Sequence, residues 1–159
     1  MTYVRLAQKD TVLFGRRVML SNALTEDLYK RKQLEKLSFF SIWSSRSTHK
    51  KYSLYLPFYK NQYRLGIYGC NWGLYKQQLI EVNGFDEDYQ NASVGEDNDI
   101  EWRLHRKGLR VRSVRYAAIV YHLYHEPNYN YDDNRIGCEL MAAKMAAGLL
   151  FCKNGLTKQ

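Results

Sequence analysis

The sequence predicts one packed domain of the α/β or α+β class, and three observations carry that prediction. The chain has 159 residues, the size of a single compact domain. Fourteen Tyr, six Phe and three Trp beside two Pro and ten Gly indicate packed layers with polar-tipped aromatics near a surface or cleft. Strand-like and helix-like stretches alternate from Thr11 onward. Collagen, low-complexity disorder and a disulfide scaffold are excluded by the same composition. Cys70, Cys138 and Cys152 are odd in number, widely spaced and free of any CxxC pair, which fits a reducing compartment. No apolar run approaches the ~18 residues of a membrane span. Residues 1–10 lack the apolar core of a signal peptide, so the chain is expected in the cytoplasm.

Residues 11–20, TVLFGRRVML, read as a strand with a glycine in its middle. Thr25, Glu26 and Asp27 then open a basic amphipathic helix that runs to about Leu37. Residues 38–63 are rich in Ser, Lys and Tyr without a clear period and predict a loop holding one short helix. In residues 65–75, LGIYGCNWGLY, strand formers mix with Gly66, Gly69 and Gly73, which predicts a strand that something approaches closely or a bulged strand. Residues 76–82 predict a short helix stopped at Asn83-Gly84, with Phe85 stapling the following acidic loop to the core. The clearest helix is residues 97–107, with acids in its first turn, bases in its last, Ile100 and Leu104 on one face and Gly108 at its end. Strands follow at 110–114 and 117–123, and an Ala-rich helix with an apolar stripe closes the chain at 135–151.

Charge is unevenly placed. Residues 1–64 hold 13 basic and 4 acidic side chains, a balance of +9, whereas residues 65–159 hold 11 and 12. The basic part suits a phosphate-bearing partner or is simply a solvated Lys-rich surface. No Lys or Arg lies between Gln77 and Trp102, yet Glu81, Asp86, Glu87, Asp88, Glu96, Asp97, Asp99 and Glu101 fall there. Such crowding is expected where a cation compensates, where a proton is moved, or where the groups are exposed.

Gly95-Glu96-Asp97 opens the clearest helix after a polar loop. The positive end of a helix favours an ionised carboxylate, so Asp97 can accept a proton from a hydroxyl; the alternative role is dipole complementation alone. His122 and His125 could present imidazole to a divalent ion or act as hydrogen-bonded end caps. Asp86-Glu87-Asp88 and Asp97-Asn98-Asp99 each fit the short Asp-x-Asp pattern that binds a metal–diphosphate.

Taken together, GIYGCNWGLYKQQLIEVNGFDEDY, GEDNDIEWRLHRKG and RYAAIVYHLYHEP resemble the C-terminal half of family 2 glycosyltransferases, in the branch with a galactosyltransferase-like C-terminal region. The resemblance extends upstream through VRLAQKDTVLFGRRVMLS and covers about residues 3–127. It implies an α/β fold of GT-A (Rossmann-like) type: a mixed sheet with flanking helices, with the N-terminal nucleotide-binding strands and their Asp-x-Asp motif missing. The chain is then a single domain, 1–159, the acceptor-side catalytic half, with a basic segment at 1–64, a catalytic core at 65–127 and a closing helix at 128–159. By the same resemblance Asp97 is the general base, Glu96 and Trp72 bind the acceptor, Gly69, Cys70 and Asn71 line the donor sugar, and His122, with His125 as alternative, completes a metal shell. Ala92-Ser93-Val94-Gly95 departs from the Gly-Trp-Gly that related enzymes carry before the acidic pair.

The activity implied is inverting transfer of a hexose or N-acetylhexosamine from a UDP-sugar to a glycan acceptor, in polysaccharide biosynthesis, aided by Mn²⁺ or Mg²⁺. The isolated chain is expected to be inactive, and to self-associate through an exposed sheet edge. A cytoplasmic site, with peripheral attachment to the inner face of the membrane as a variant, fits that activity. A non-catalytic acceptor-binding module, or a subunit needing an N-terminal partner, is the competing reading. A basic nucleic-acid-binding protein rests only on the charge excess and Tyr content, without a recognised motif.

Overall fold

The computed structural model describes residues 2–32, 37–56, 66–91, 95–126 and 131–158. In chain order these form α1 (Thr2–Leu6), β1 (Thr11–Phe14), β2 (Arg16–Met19), α2 (Asn22–Arg31), α3 (Phe39–Ser44), a 3₁₀ turn (Lys50–Ser53), β3 (Trp72–Gly73), α4 (Lys76–Ile80), α5 (Glu96–Arg106), β4 (Arg110–Ser113), β5 (Ile119–His122) and α6 (Tyr131–Ala146). The expected α/β class is what forms: a mixed sheet in the order β3-β1-β4, a parallel pair β2-β5, and flanking helices. β1 runs antiparallel to β3 and parallel to β4, with Thr11 opposite Arg110 and Phe14 opposite Ser113. β2 runs parallel to β5, with Arg17 opposite Val120 and Met19 opposite His122.

The single strand expected over residues 11–20 is two strands in two sheets, because the chain bends at Gly15. A Cβ on Gly15 would stand 2.2 Å from the Ala118 carbonyl oxygen and 2.3 Å from Asn71 Nδ2. Residues 114–118 make the matching break between β4 and β5, where Val114 O accepts the N–H groups of Ala117 and Ala118, each at 2.9 Å. Asn71 fills the joint between the two ladders. Its Nδ2 donates to Arg16 O at 2.9 Å and Ala118 O at 3.1 Å, its backbone O accepts the Gly15 N–H at 2.9 Å, and its Oδ1 accepts the Tyr3 hydroxyl at 2.5 Å. Each ladder has its own core: Val12, Phe14, Ile67, Val82, Ile100, Leu104, Leu109 and Val111 on the first, and Val18, Leu20, Leu28 and Ile42 on the second. Burying each such side chain contributes roughly 1.5–3 kcal/mol.

Three expectations about helices and strands are corrected by local chemistry, and a fourth is located. α2 begins three residues before Thr25 because Ser21 caps it, accepting the Leu24 N–H at 3.4 Å, and it ends where Lys32 turns left-handed at φ 51°. Thr25 is buried inside the helix, where its hydroxyl accepts the Tyr124 N–H at 2.9 Å. The strand expected over 65–75 shrinks to Trp72–Gly73, since the chain turns before it, with Asn71 N–H donating to Tyr68 O at 2.9 Å. The short helix expected within 38–63 is α3, started by a reciprocal Ser38–Ser41 capping box. α6 starts before Arg135 and stops before Phe151, and it buries Gly137 and Lys144 instead of an apolar stripe. Asn83 and Gly84 do end α4 with left-handed backbone, φ 63° and 74°. Among the described residues no helix is long and apolar enough to cross a membrane.

Candidate active site

The acidic stretch between α4 and α5 divides into groups locked by cations and groups left open. Arg103, fully buried on α5, donates Nε to Asp99 Oδ2 at 2.7 Å and Nη1 to Val82 O at 2.6 Å and Gly84 O at 2.8 Å. It therefore ties the helix to the turn that ends α4. Burial holds the Asp99 carboxyl above the usual range even with Arg103 beside it. Lys144 reaches from α6 to Asp86 Oδ2 and Asp88 Oδ2, at 2.5 Å each. That contact lowers the Asp88 carboxyl, with help from Asn154. Burial alone would lower Lys144, but its two carboxylate partners outweigh it and raise the ammonium. Asn83 completes the junction, its Nδ2 donating to Cys152 O at 2.7 Å and Thr157 O at 2.8 Å while Oδ1 accepts the Thr157 N–H at 2.8 Å. Both Asp-x-Asp patterns thus hold internal partners: Asp86 and Asp88 take Lys144, and Asp99 takes Arg103.

Asp97 is different. It stands in the first turn of α5, half-buried, and its Oδ2 accepts the Gly69 N–H at 2.8 Å. No described cation pairs with it. The contact is close: a Cβ on Gly69 would stand 2.3 Å from Asp97 Oδ1, so any larger residue there displaces the carboxylate. One turn on, buried Glu101 accepts the N–H groups of Gly66 at 2.6 Å and Ile67 at 3.1 Å. α5 therefore grips the incoming chain twice, and the Tyr68–Cys70 turn is set directly against Asp97. The turn is exposed, Cys70 included.

The other expected site residues fall into three places. Glu96, beside Asp97 on the first turn of α5, is half-buried. Trp72 packs on the first core and meets Phe85 edge-on at 5.7 Å between ring centres. Asn71 is buried, and its side chain is occupied by the ladder joint described above. His122 and His125 come together at the carboxyl end of β5, with their Nε2 atoms 3.0 Å apart. His125 Nδ1 lies 2.9 Å from Glu126 O, which assigns its proton to Nδ1 and leaves Nε2 as a lone-pair donor. Burial, with Arg17 and His125 nearby, holds His122 below the usual histidine range and favours the neutral ring that a metal requires.

Two imidazole nitrogens about 3 Å apart suit adjacent ligand positions on one ion of ~2.1 Å bond length. Among the described residues no cluster of three His, Cys, Asp or Glu accompanies them. The pair therefore fits an ion that takes its remaining ligands from water or substrate, and nitrogen donors suit Mg²⁺ poorly. Ala92, Ser93 and Val94, where the Gly-Trp-Gly departure lies, fall outside the described residues.

Arg103, Glu101, Lys144 and the wedge role of Asn71 were not singled out from the sequence. Each is a polar residue with at least one partner distant in the chain. Only Glu101 and Arg103 carried a signal, as a buried-face position of an amphipathic helix occupied by a charge.

Comparison with known proteins agrees with this architecture over its central part. No curated protein and no solved structure matches the chain. One family model matches, described as the N-terminal domain of galactosyltransferase, over residues 48–126. The match contains the Tyr68–Cys70 turn, the Asn83–Asp88 junction, Asp97 and both histidines, and it does not assign the chain to family 2. Over that stretch, just under half of its length, the chain is galactosyltransferase-like.

Proposed function

We propose that this chain carries the acceptor-side centre of an inverting glycosyltransferase, with Asp97 as general base. The observation that supports this reading most is the state of Asp97: half-buried at a helix N-terminus, positioned by the Gly69 N–H, and without an ion pair among the described residues. Asp86, Asp88, Asp99 and Glu101 are each paired or hydrogen-bonded inside the fold, so they cannot serve as readily.

In the proposed reaction an acceptor hydroxyl lies against Asp97. Its O–H bond breaks, the proton passes to the carboxylate, and the oxygen forms a bond to the anomeric carbon of the donor sugar. The bond from that carbon to the diphosphate breaks on the opposite face and its electron pair leaves with the diphosphate, so configuration inverts. Gly69 N–H fixes Asp97 Oδ2, which leaves Oδ1 to face the hydroxyl. Glu96 takes the acceptor's other hydroxyls, and Trp72 offers the acceptor an aromatic surface. Gly69 and Cys70 line the donor sugar, and Asn71 holds that turn in place from below. His122 and His125 would hold a divalent ion, which when bound would neutralise the departing diphosphate. The donor class is a UDP-hexose or UDP-N-acetylhexosamine, and the acceptor a glycan.

Release of UDP from a panel of UDP-sugars, measured with and without glycan acceptors, tests the reading. No release is expected from the chain alone, and acceptor-dependent release that Asp97→Asn abolishes is expected once a nucleotide-binding partner is supplied. Acceptor binding without any UDP release, with that partner present, would replace the enzyme with a binding module.

A further inference from the structure

Arg16 opens β2 with its guanidinium buried, the residue being only 7% exposed. Among the described residues the guanidinium makes one hydrogen bond, Nη1 to Gly66 O at 3.2 Å, and its enclosed Nε has no partner. No described carboxylate pairs with it. A buried cation without a counter-charge costs several kcal/mol unless something supplies the charge. Aromatic faces offset only part of this: the guanidinium carbon lies 4.9 Å from the Phe14 ring centre and 4.8 Å from that of Tyr68.

Arg17 adds a second cation at the same ring, 5.2 Å from the Tyr68 centre, and it too has no described carboxylate partner. Two like charges are thus gathered on one exposed tyrosine, the residue before Gly69. The parallel register puts Arg17 opposite Val120, so Arg17 shares a face of the β2-β5 pair with Met19 and His122. Tyr68 thus stands between the Asp97–Gly69 contact, one residue on, and the two guanidinium groups.

We propose that Arg16 and Arg17, converging on Tyr68, form a cationic clamp for a phosphate or diphosphate group that enters beside Asp97. Guanidinium forks match phosphate oxygens in shape and charge. This inference rests on the glycosyltransferase reading for its place in the reaction, where the phosphate belongs either to the leaving nucleotide diphosphate or to a phosphorylated acceptor. The clamp itself requires only an anion.

Titration calorimetry of the chain with inorganic pyrophosphate, without metal, tests it directly. Arg17→Gln and Arg16→Lys are each expected to raise the pyrophosphate Kd about tenfold or more, and Arg135→Gln, on α6, to leave it unchanged. Arg16→Lys keeps the buried charge, so its melting temperature reports whether the fold survives, and Arg17→Gln stands in if it does not. Equal Kd values in all four proteins, or no pyrophosphate binding by the parent, would overturn the clamp. UDP against uridine then separates the sources. If the advantage of UDP over uridine disappears in Arg17→Gln, the site holds the donor diphosphate; if it persists while binding of a sugar 1-phosphate is lost, the site holds an acceptor phosphate. A chain that binds pyrophosphate through both arginines yet transfers no sugar with a nucleotide-binding partner supplied contradicts the role of Asp97 and not the clamp.

Discussion

Two regions of this molecule hold charged side chains a few residues apart and treat them oppositely. Around the turn at 82–88, Asp99 meets Arg103, and Asp86 and Asp88 meet Lys144, so every one of these charges has an opposite partner. Around the Tyr68–Cys70 turn, Asp97, Arg16 and Arg17 meet no described opposite charge, and Asp97 is held by a backbone N–H alone. The first arrangement fixes three elements to one another. The second leaves charge directed at whatever enters. Type and spacing of residues do not separate the two, because Asp97 and Asp99 are two positions apart on one helix. What separates them is helix phase: Asp99 faces the core with Ile100 and Arg103, and Asp97 faces the Tyr68–Cys70 turn.

Removing a cation from the paired region should have the largest effect on stability. Arg103→Leu strands the Asp99 carboxylate and two backbone carbonyls in the core. We expect a loss of about 3–5 kcal/mol, seen as a fall in melting temperature on the order of 10 °C. An unfolding midpoint close to the parent's would show that the pairing is incidental. Asn71→Ala should cost less, about 1–3 kcal/mol, because it removes the amide that the Tyr3 hydroxyl and the Arg16 and Ala118 carbonyls share in the ladder joint. Burial has already pushed the Tyr3 hydroxyl up to about 12. Spectrophotometric titration should find that tyrosine ionising at lower pH in the variant, as the loosened joint admits water.

Gly69→Ala sharpens the contrast from the other side. Its Cβ would collide with Asp97 Oδ1, so the carboxylate must shift. Stability should change little at this exposed turn, whereas turnover should fall about 10²-fold, the usual effect of misplacing a reacting group by roughly 1 Å. Parallel kcat and melting measurements would show the opposite pattern to Arg103→Leu; turnover equal to the parent's would remove Gly69 from the site. Glu96→Gln should raise the acceptor KM with little change in kcat, since binding made equally in ground and transition states appears in KM alone.

The smallest effect expected is a pH window for the paired region. The Asp88 carboxyl is held below its ordinary value by Lys144, so its stabilisation is present above the unfolded pKa of 3.8 and is lost as pH falls through the lower folded value. Lys144 is raised, so its share is complete below 10.5 and is lost as pH rises beyond it. Unfolding midpoints from pH 3 to 11 should therefore show a plateau between those limits, and Lys144→Met should flatten both edges.

How much of this was legible in the sequence depended on the distance between partners. α5 and the Asn83-Gly84 stop could be read directly, since each depends on neighbours within one or two turns. The α/β class followed from alternating periods, and Asp97 and Gly69 stood out as an acid at a helix start and a glycine in a strand-like run. The break at Gly15 could not be read, because a two-residue period runs through it and its cause, Asn71, lies 55 positions beyond Arg16. The acids at 86–88 looked exposed because their cation, Lys144, is 58 residues from Asp86. α6 looked apolar for the same reason: the residue it buries against the acidic turn is a lysine whose partners lie more than 50 positions away.

The most direct test of the central claim is the kcat of Asp97→Asn, measured beside its melting temperature on a donor and acceptor pair that the parent chain turns over with a nucleotide-binding partner supplied. If the unpaired carboxylate is the base, kcat falls by about 10²–10⁴-fold at an unchanged melting temperature. A kcat within a factor of a few of the parent's, in a variant that melts where the parent does, would contradict it.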